Sequence, residues 1–383
     1  MDLRRRSLLT GAGGALVGMP SFGAGSRPAL PIRALEFPRD FGAHLDAKTE
    51  WWYVTGMARA QDKSRDAPPE YGFQVTFFRS LVESTQEMKS SFAAKHLIFA
   101  HAAITDIKKG KFWHDQRIAR SSNVPATDIA SAGLRTTQVE LRDWSLKREP
   151  GRSETNSSVY RALVATQLFG LDLSLQTSQS VMLQGYEGLS RKGPQASQTS
   201  FYYSQPQLSV EGKLSIQGKS QQIQGSAWLD HEWSNEMLHP DAVGWDWIGM
   251  NLDNGSALTA FQIRDKSGAA LWDGGSLRRA KNSMAKRSDE ERTDAFNRGD
   301  VIFQPVKFWK SPKSEARYPV EWQVRTPMGL YTVRALVENQ ELDSRASTGA
   351  IYWEGLSELV DSSHRRIGYG YLEMTGYAQP LRL

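Results

Sequence analysis

The chain has 383 residues, of which 39% are hydrophobic and 23% are charged, a composition typical of a globular protein with room for two domains. Its net charge is only +5 and no long basic run is present, so a nucleic-acid partner is not indicated. The absence of cysteine excludes disulfides, thiolate zinc sites and cysteine nucleophiles. Any chemistry must therefore use carboxylates, histidine, hydroxyl groups or aromatic rings.

The first residues are typical of an export signal. Three arginines, Arg4, Arg5 and Arg6, precede a short, weakly apolar stretch rich in glycine and alanine. The order Arg5-Arg6-Ser7-Leu8-Leu9 resembles the twin-arginine signal, and the glycines that follow leave no run long enough for a membrane anchor. We therefore expect residues 1–26 to use the twin-arginine translocase and the protein to be periplasmic or secreted. The alternative is a disordered basic tail.

Beyond about residue 35 the pattern is that of β-strands. Residues 51–54, 73–78 and 171–175 are rich in aromatic, β-branched or alternating apolar residues, and turn-forming residues separate such segments. Only residues 283–298, which are rich in charge, favour a short surface helix. We therefore predict an all-β chain.

Three aromatic segments recur in the same order, which indicates a duplicated unit. The matches are residues 50–56 with 244–250, 73–79 with 260–264, and 110–115 with 268–273. A β unit of about 170 residues is the right size for an up-and-down barrel. Because Gln205-Pro206-Gln207 interrupts the strand pattern, we predict two barrels, residues 27–206 and 207–383.

Several long motifs resemble the AttH-like family. They are residues 44–53 with Gly56, residues 72–79, residues 101–106, residues 227–234 and residues 244–247. The resemblance covers roughly residues 35–380. It implies two lipocalin-like β-barrels in tandem, and it relates the chain to carotenoid 1,2-hydratases and to exported proteins labelled as predicted hydrolases. A bulky apolar ligand of isoprenoid or lipid type is then the expected small-molecule partner.

The motif Asp230-His231-Glu232-Trp233 is where the resemblance places functional residues. On a strand, His231 and Trp233 share one face, and they line a cavity if that face points inward. Hydration of an alkene requires an acid of raised pKa and an aromatic surface that stabilises a carbocation. His231 would then orient water, and Trp233 would stabilise the cation. A buried structural seam of mutually satisfied charges is the alternative interpretation.

The proton donor is harder to assign, because Asp230 and Asp246 alternate away from His231 and from the neighbouring tryptophans. Glu373 is a further candidate. The motif around Glu50 is aromatic on both faces, so that one face must meet something other than water. The expected catalytic residues are His231, Trp233, Asp230 and Asp246. The expected ligand-binding residues are Trp51, Tyr53, Trp245, Trp247, Tyr371 and Glu373.

Other mechanisms lack their signatures in this sequence. His239 follows His231 by eight residues rather than four, so the helical zinc-protease motif is absent. There is no nucleophile elbow, phosphate-binding loop or dinucleotide fingerprint. We therefore expect neither a metal nor a cofactor. A lipocalin-like carrier or an envelope assembly factor is the alternative to an enzyme, since a carrier needs the same aromatic lining.

Overall fold

The structure is a computed structural model that describes residues 30–90, 92–122, 128–150, 157–280 and 293–381. The predicted export signal lies outside these residues. The described part of the chain contains two 3₁₀ turns, Arg39–Phe41 and Glu83–Thr85, but no α-helix. It also contains no helix that is long and apolar enough to cross a membrane.

The first sheet has thirteen strands that follow one another along the chain to Glu236. They are β1 (Thr49–Ala60), β2 (Tyr71–Leu81), β3 (His96–Asp106), β4 (Lys111–Ser121), β5 (Ala130–Ala132), β6 (Gln138–Leu141), β7 (Trp144–Pro150), β8 (Ser158–Ala165), β9 (Phe169–Gln176), β10 (Met182–Leu183), β11 (Leu189–Arg191), β12 (Thr199–Ile216) and β13 (Lys219–Glu236). The order is β4-β3-β2-β1-β13-β12-β9-β8-β7-β6-β5, with β10 and β11 paired to β12. The two ends meet where β4 contacts β5 and β6, so the sheet nearly closes.

The second sheet has ten strands. They are β14 (Ala242–Leu252), β15 (Ala257–Asp265), β16 (Ala270–Arg278), β17 (Thr293–Phe296), β18 (Ile302–Lys310), β19 (Arg317–Thr326), β20 (Gly329–Ala335), β21 (Glu341–Asp343), β22 (Ile351–Val360) and β23 (Arg366–Met374). The order is β17-β16-β15-β14-β23-β22-β20-β19-β18, with β21 paired to β22. The all-β prediction with two successive barrels is confirmed.

Two local features of the described structure differ from the predictions made from the sequence. The described end of the predicted helix is strand β17, which pairs with β16, and residues 281–292 lie outside the described residues. The sheets change over between Glu236 and Ala242 rather than near residue 206. Pro206 lies inside β12, where the register with β13 shifts between Gln205 and Leu208. A bulge absorbs the proline, so the strand continues through it.

The internal repeat corresponds to equivalent positions in the two sheets. β1 and β14 each lie between the next strand of the chain and the last strand of their own sheet. β2 and β15 are the next strands in each case, so the first two sequence matches are equivalent. The third match is out of step, because residues 110–115 begin β4 whereas residues 268–273 begin β16, the counterpart of β3.

The two sheets pack against each other through a buried layer formed by Trp228, Leu356 and Tyr371. Gly72 allows the close approach: a Cβ atom there would lie 2.8 Å from Tyr371 Oη and 2.9 Å from Leu356 Cβ. Along β1, this layer lies between Tyr53 and Met57, because Trp228 is directly opposite Thr55.

We expect Gly72→Ala to destabilise the protein by about 1–3 kcal/mol, because the added methyl group overpacks the contact between the sheets. Urea unfolding measures the effect. Adding Tyr371→Phe removes the closest atom, so the double variant should recover part of the loss. A Gly72→Ala protein as stable as wild type would contradict this account of the contact.

Candidate functional site

A cavity of about 260 Å³ lies between the two sheets on one side of the packed layer. One wall comes from β1, β2, β3, β12 and β13, and the other from β14, β15, β22 and β23. The lining is largely aromatic and includes Trp51, Tyr53, Tyr202, Trp245, Trp247 and Phe261. Such a lining suits a bulky apolar ligand.

Strand register places polar groups in two facing rows across this cavity. Residues directly opposite each other in antiparallel strands share a face, so a row runs across each sheet. The row on the first sheet is Asp230, Tyr53, Thr76 and His101. The row on the second sheet is Trp247, Glu373 and Glu354. Five of the six ligand-binding residues predicted from the sequence line this cavity: Trp51, Tyr53, Trp245, Trp247 and Glu373.

Glu354 and Glu373 form a carboxyl pair on adjacent strands. Burial is the main cause that raises the pKa of Glu354 well above its ordinary value, and the charge of Glu373 raises it further. Burial also raises the pKa of Glu373 to about 7, although the Trp245 indole partly offsets the increase. Because two neighbouring carboxylates in an apolar site resist ionising together, the pair holds a proton near neutral pH.

Tyr53 faces this pair from the first sheet. Burial raises the pKa of Tyr53 well above its ordinary value, and the charges of Glu354 and Glu373 add to the shift. Tyr53 Oη and Glu354 Oε1 are both buried, and neither makes a hydrogen bond of normal geometry among the described residues. The Tyr53 hydroxyl is nevertheless close enough to Glu354 to lower the pKa of that carboxyl group. Buried polar groups are normally paired, so a ligand or a water molecule can complete the hydrogen bonding of these two groups.

Asp230 is a third carboxyl group of the cavity, and it accepts several hydrogen bonds. Trp228 Nε1 donates to it at 2.7 Å, Tyr202 Oη at 2.9 Å and Ser204 Oγ at 2.5 Å. These donors favour the carboxylate, but burial outweighs them and raises the pKa of Asp230 to about 7. Asp230, one of the predicted catalytic residues, lines the cavity, whereas His231 does not.

Each end of the cavity carries a further polar group. At one end, Lys192 Nζ lies 3.0 Å from Glu232 Oε1 and over the rings of Tyr202 and Phe261. At the other end, His101 Nδ1 lies 2.8 Å from Tyr352 Oη, and burial lowers the pKa of His101 to about 3. The neutral imidazole and the ion pair therefore lie at opposite ends of the cavity, with the carboxyl groups of Glu354, Glu373 and Asp230 between them.

His231 and Trp233, which the sequence analysis placed in a cavity if their face points inward, do not line this cavity. Both side chains are buried on the opposite face of β13, inside the first barrel. His231 Nε2 lies 2.8 Å from Glu50 Oε1, and the indole of Trp233 stacks on His44 with ring centroids 3.6 Å apart. The face of β13 that carries His231 and Trp233 packs into the core of the first barrel, and the opposite face meets the second sheet.

The predicted residues Asp246 and Tyr371 also lie away from the cavity lining in the described structure. Asp246 is buried and accepts hydrogen bonds from Arg264 Nε at 2.7 Å, Gln262 Nε2 at 2.7 Å and Tyr377 Oη at 2.9 Å. Tyr371 belongs to the packed layer between the sheets. Their contacts are those of structural residues.

Glu50 is the centre of a buried polar cluster in the first barrel. Arg79 Nε donates to its Oε2 at 2.8 Å, and His44 Nδ1 lies 2.8 Å from Oε1. The pKa of Glu50 stays well below its ordinary value because the charges of Arg79 and His44 and the histidine hydrogen bonds overcome burial. Both ring nitrogens of His44 face carboxylates, Glu50 and Asp40, which raises the pKa of His44 against the effect of burial.

His231 is neutral in this cluster. Its Nε2 donates to Glu50, and its Nδ1 accepts from Tyr203 Oη at 3.0 Å, while burial lowers its pKa to about 4. Ligand atoms of His44, Glu50 and His231 lie within 4.8 Å of one another, as in a metal site. However, each of these atoms already has a hydrogen-bond partner, and Arg79 adds a positive charge. The arrangement fits a structural hydrogen-bond network better than a cation site.

Five further residues line the cavity but were not predicted from the sequence: Glu354, Glu232, Lys192, His101 and Tyr352. A signal exists for Glu354, because it is a carboxylate within the otherwise apolar run Tyr352-Trp353-Glu354-Gly355-Leu356. For Lys192, which follows β11 in an irregular segment, no periodicity predicts a buried position.

We expect His231→Ala to lower the free energy of unfolding by about 3 kcal/mol, because Glu50 and Tyr203 lose a buried partner. His239→Ala, at a partly exposed position, is the control and should leave stability unchanged. Urea unfolding compares the two. A His231→Ala protein of wild-type stability would instead favour a functional role for His231.

The raised pKa values of Glu354 and Glu373 predict a loss of stability as pH rises. The folded state holds these protons more tightly than the unfolded state, so stability present near pH 4.5 is lost as pH increases through 7. The double variant Glu354→Gln/Glu373→Gln should lose this pH dependence of the free energy of unfolding. The shifted pKa of Glu373 accounts for at most about 3 kcal/mol of it. Unfolding at pH 5 and pH 8 tests it. Glu358→Gln, whose side chain pairs with Arg334, is the control and should keep the wild-type profile.

Comparison with known proteins agrees with this architecture. The AttH-like family profile matches residues 28–377. A solved structure assigned to AttH from Nitrosomonas europaea is 43% identical, with 92% of this chain and 99% of that chain covered and a TM-score of 0.79. Kievitone hydratase from Nectria haematococca shares the fold at 15% identity, with 90% and 94% covered and a TM-score of 0.64. No curated protein matches. The chain is a member of the AttH-like family.

Proposed function

We propose that this protein binds a bulky apolar molecule of isoprenoid or lipid type between its two sheets and adds water across a carbon–carbon double bond of that molecule. The observation that carries the proposal is the pair Glu354 and Glu373, two neighbouring carboxyl groups in an aromatic cavity. A carrier needs only apolar walls, whereas the carboxyl groups are costly to bury without a chemical use.

The two carboxyl groups supply an acid and a base. Glu354, whose pKa burial raises well above its ordinary value, gives its proton to one carbon of the double bond, and a carbocation forms at the other carbon. Water adds to that carbon while Glu373 takes a proton from it. The product is an alcohol, and transfer of the proton from Glu373 back to Glu354 restores the starting state.

The walls of the cavity suit the cationic intermediate. Trp245 lies two residues from Trp247 on β14, and Trp247 is directly opposite Glu373. Indole rings attract a cation through their faces. Tyr53 Oη, which makes no hydrogen bond of normal geometry among the described residues, can hold the attacking water beside Glu354. In its ionised form, Asp230 on the opposite wall adds to the negative potential that attracts the cation.

The shared fold with kievitone hydratase is compatible with this proposal, since that protein is named for a hydration reaction. The likeness concerns the fold, and the cavity chemistry of this chain supports the reaction. The proposal includes the export predicted from residues 1–26, which would place the reaction in the periplasm or outside the cell.

Mass spectrometry of molecules that co-purify with the protein tests the function. Glu354→Gln keeps the shape of the cavity but cannot donate the proton, so it should retain the unreacted ligand. Its bound molecule should therefore be lighter than the wild-type product by the mass of one water molecule. Glu358→Gln, on the same strand, is the control and should match wild type. An identical bound molecule in all three proteins would favour the carrier.

A further inference from the structure

A second pocket, of about 180 Å³, lies on the other side of the packed layer. It forms where β1 approaches its end, against β12 and β13, and includes Met57 and Arg59. Arg59 has the same strand parity as Trp51 and Tyr53, so it projects from the same face of the first sheet. The pocket shares no lining residue with the cavity, but both lie on the same face of the first sheet.

Arg59 is a buried cation without a carboxylate partner in the described part of the chain. The residue is only 4% exposed. Nη1 donates to the carbonyl oxygen of Arg65 at 2.5 Å, and Nη2 lies 3.2 Å from Met57 Sδ. Nε is buried and has no hydrogen-bond partner. Two neutral contacts thus stand where a buried guanidinium ordinarily has an anion.

The surroundings do not neutralise this charge. Burial lowers the pKa of Arg59, and the nearby Arg366 lowers it further, while Tyr369, Asp66 and Glu70 act in the opposite direction from a distance. Both Asp66 and Glu70 lie beyond ion-pair range of Arg59, since neither forms a salt bridge with it within 4.0 Å. The edge of the guanidinium that carries Nε and Nη2 is the edge that binds a carboxylate or phosphate through two parallel hydrogen bonds.

The remaining wall adds donors. The hydroxyl groups of Ser209 and Ser226 line the pocket, and the exposed Arg65 lies at its rim. The rim also carries Glu211, an exposed carboxylate that opposes an anion without pairing with Arg59. The pocket is thus basic in its buried part and acidic at only one exposed position.

We propose that this pocket binds a small oxyanion, a carboxylate or a phosphate group, which Arg59 holds through Nε and Nη2. The site is independent of the reaction proposed above, because it lies beyond the packed layer and includes none of the cavity carboxyl groups.

Isothermal titration of the full chain with inorganic phosphate, and separately with acetate, tests the site at constant ionic strength set with chloride. We expect one saturable site for at least one anion in wild type, and the two titrations distinguish a phosphate from a carboxylate ligand. Arg59→Gln should weaken binding by at least about ten-fold, because the two charge-assisted hydrogen bonds are lost. Arg59→Lys keeps the charge without the paired donors and should bind more weakly than wild type, even if Arg59→Gln fails to fold.

Two further variants complete the test. Arg325→Gln, at an exposed position on β19, is the matched control and should bind as wild type does. Glu211→Gln should bind the anion more tightly, because a repelling charge is removed from the rim. The proposal is overturned if neither anion binds to wild type, or if Arg59→Gln and Arg59→Lys bind as tightly as wild type.

Discussion

The pairing of β1 with β13 is the interaction on which the rest of the structure depends. It joins segments far apart in the chain, setting Glu50 opposite Trp233 and Tyr53 opposite Asp230. Because successive side chains point to opposite faces, one pair of strands supplies both the buried polar cluster around Glu50 and a wall of the cavity. A shift of one residue in this register would exchange the two sets and place His231 in the cavity.

The buried carboxyl groups of these two sites differ in their electrostatic surroundings. Glu50 has Arg79 and His44 as partners, so its charge is compensated and its pKa is lowered. Glu354 and Glu373 have each other instead of a cation, so burial prevails and their pKa values rise. The same residue type therefore stabilises the fold in one place and holds a proton in the other.

The duplication created a place that a single barrel lacks. Each barrel has its own apolar core, whereas the cavity lies between the two sheets and the Arg59 pocket lies on the first sheet alone. Trp228, Leu356 and Tyr371 keep the sheets packed together, and Gly72 allows their contact. The wall from each half contributes different groups, so the two halves have diverged in their facing residues while keeping equivalent strand orders.

Sequence alone determined the all-β class, the duplicated strands, the family resemblance and the aromatic positions Trp51, Tyr53, Trp245 and Trp247, because alternation and composition are local properties. It did not determine which face of β13 lines the cavity. The strand is buried on both sides, so no contrast between polar and apolar faces exists to identify the cavity side, and His231 was assigned to the wrong face. Glu354 and Glu373 are separated along the chain and become neighbours only through the pairing of β22 with β23. The raised pKa values of the pair are thus a product of tertiary structure, because proximity sets how two carboxyl groups share one proton.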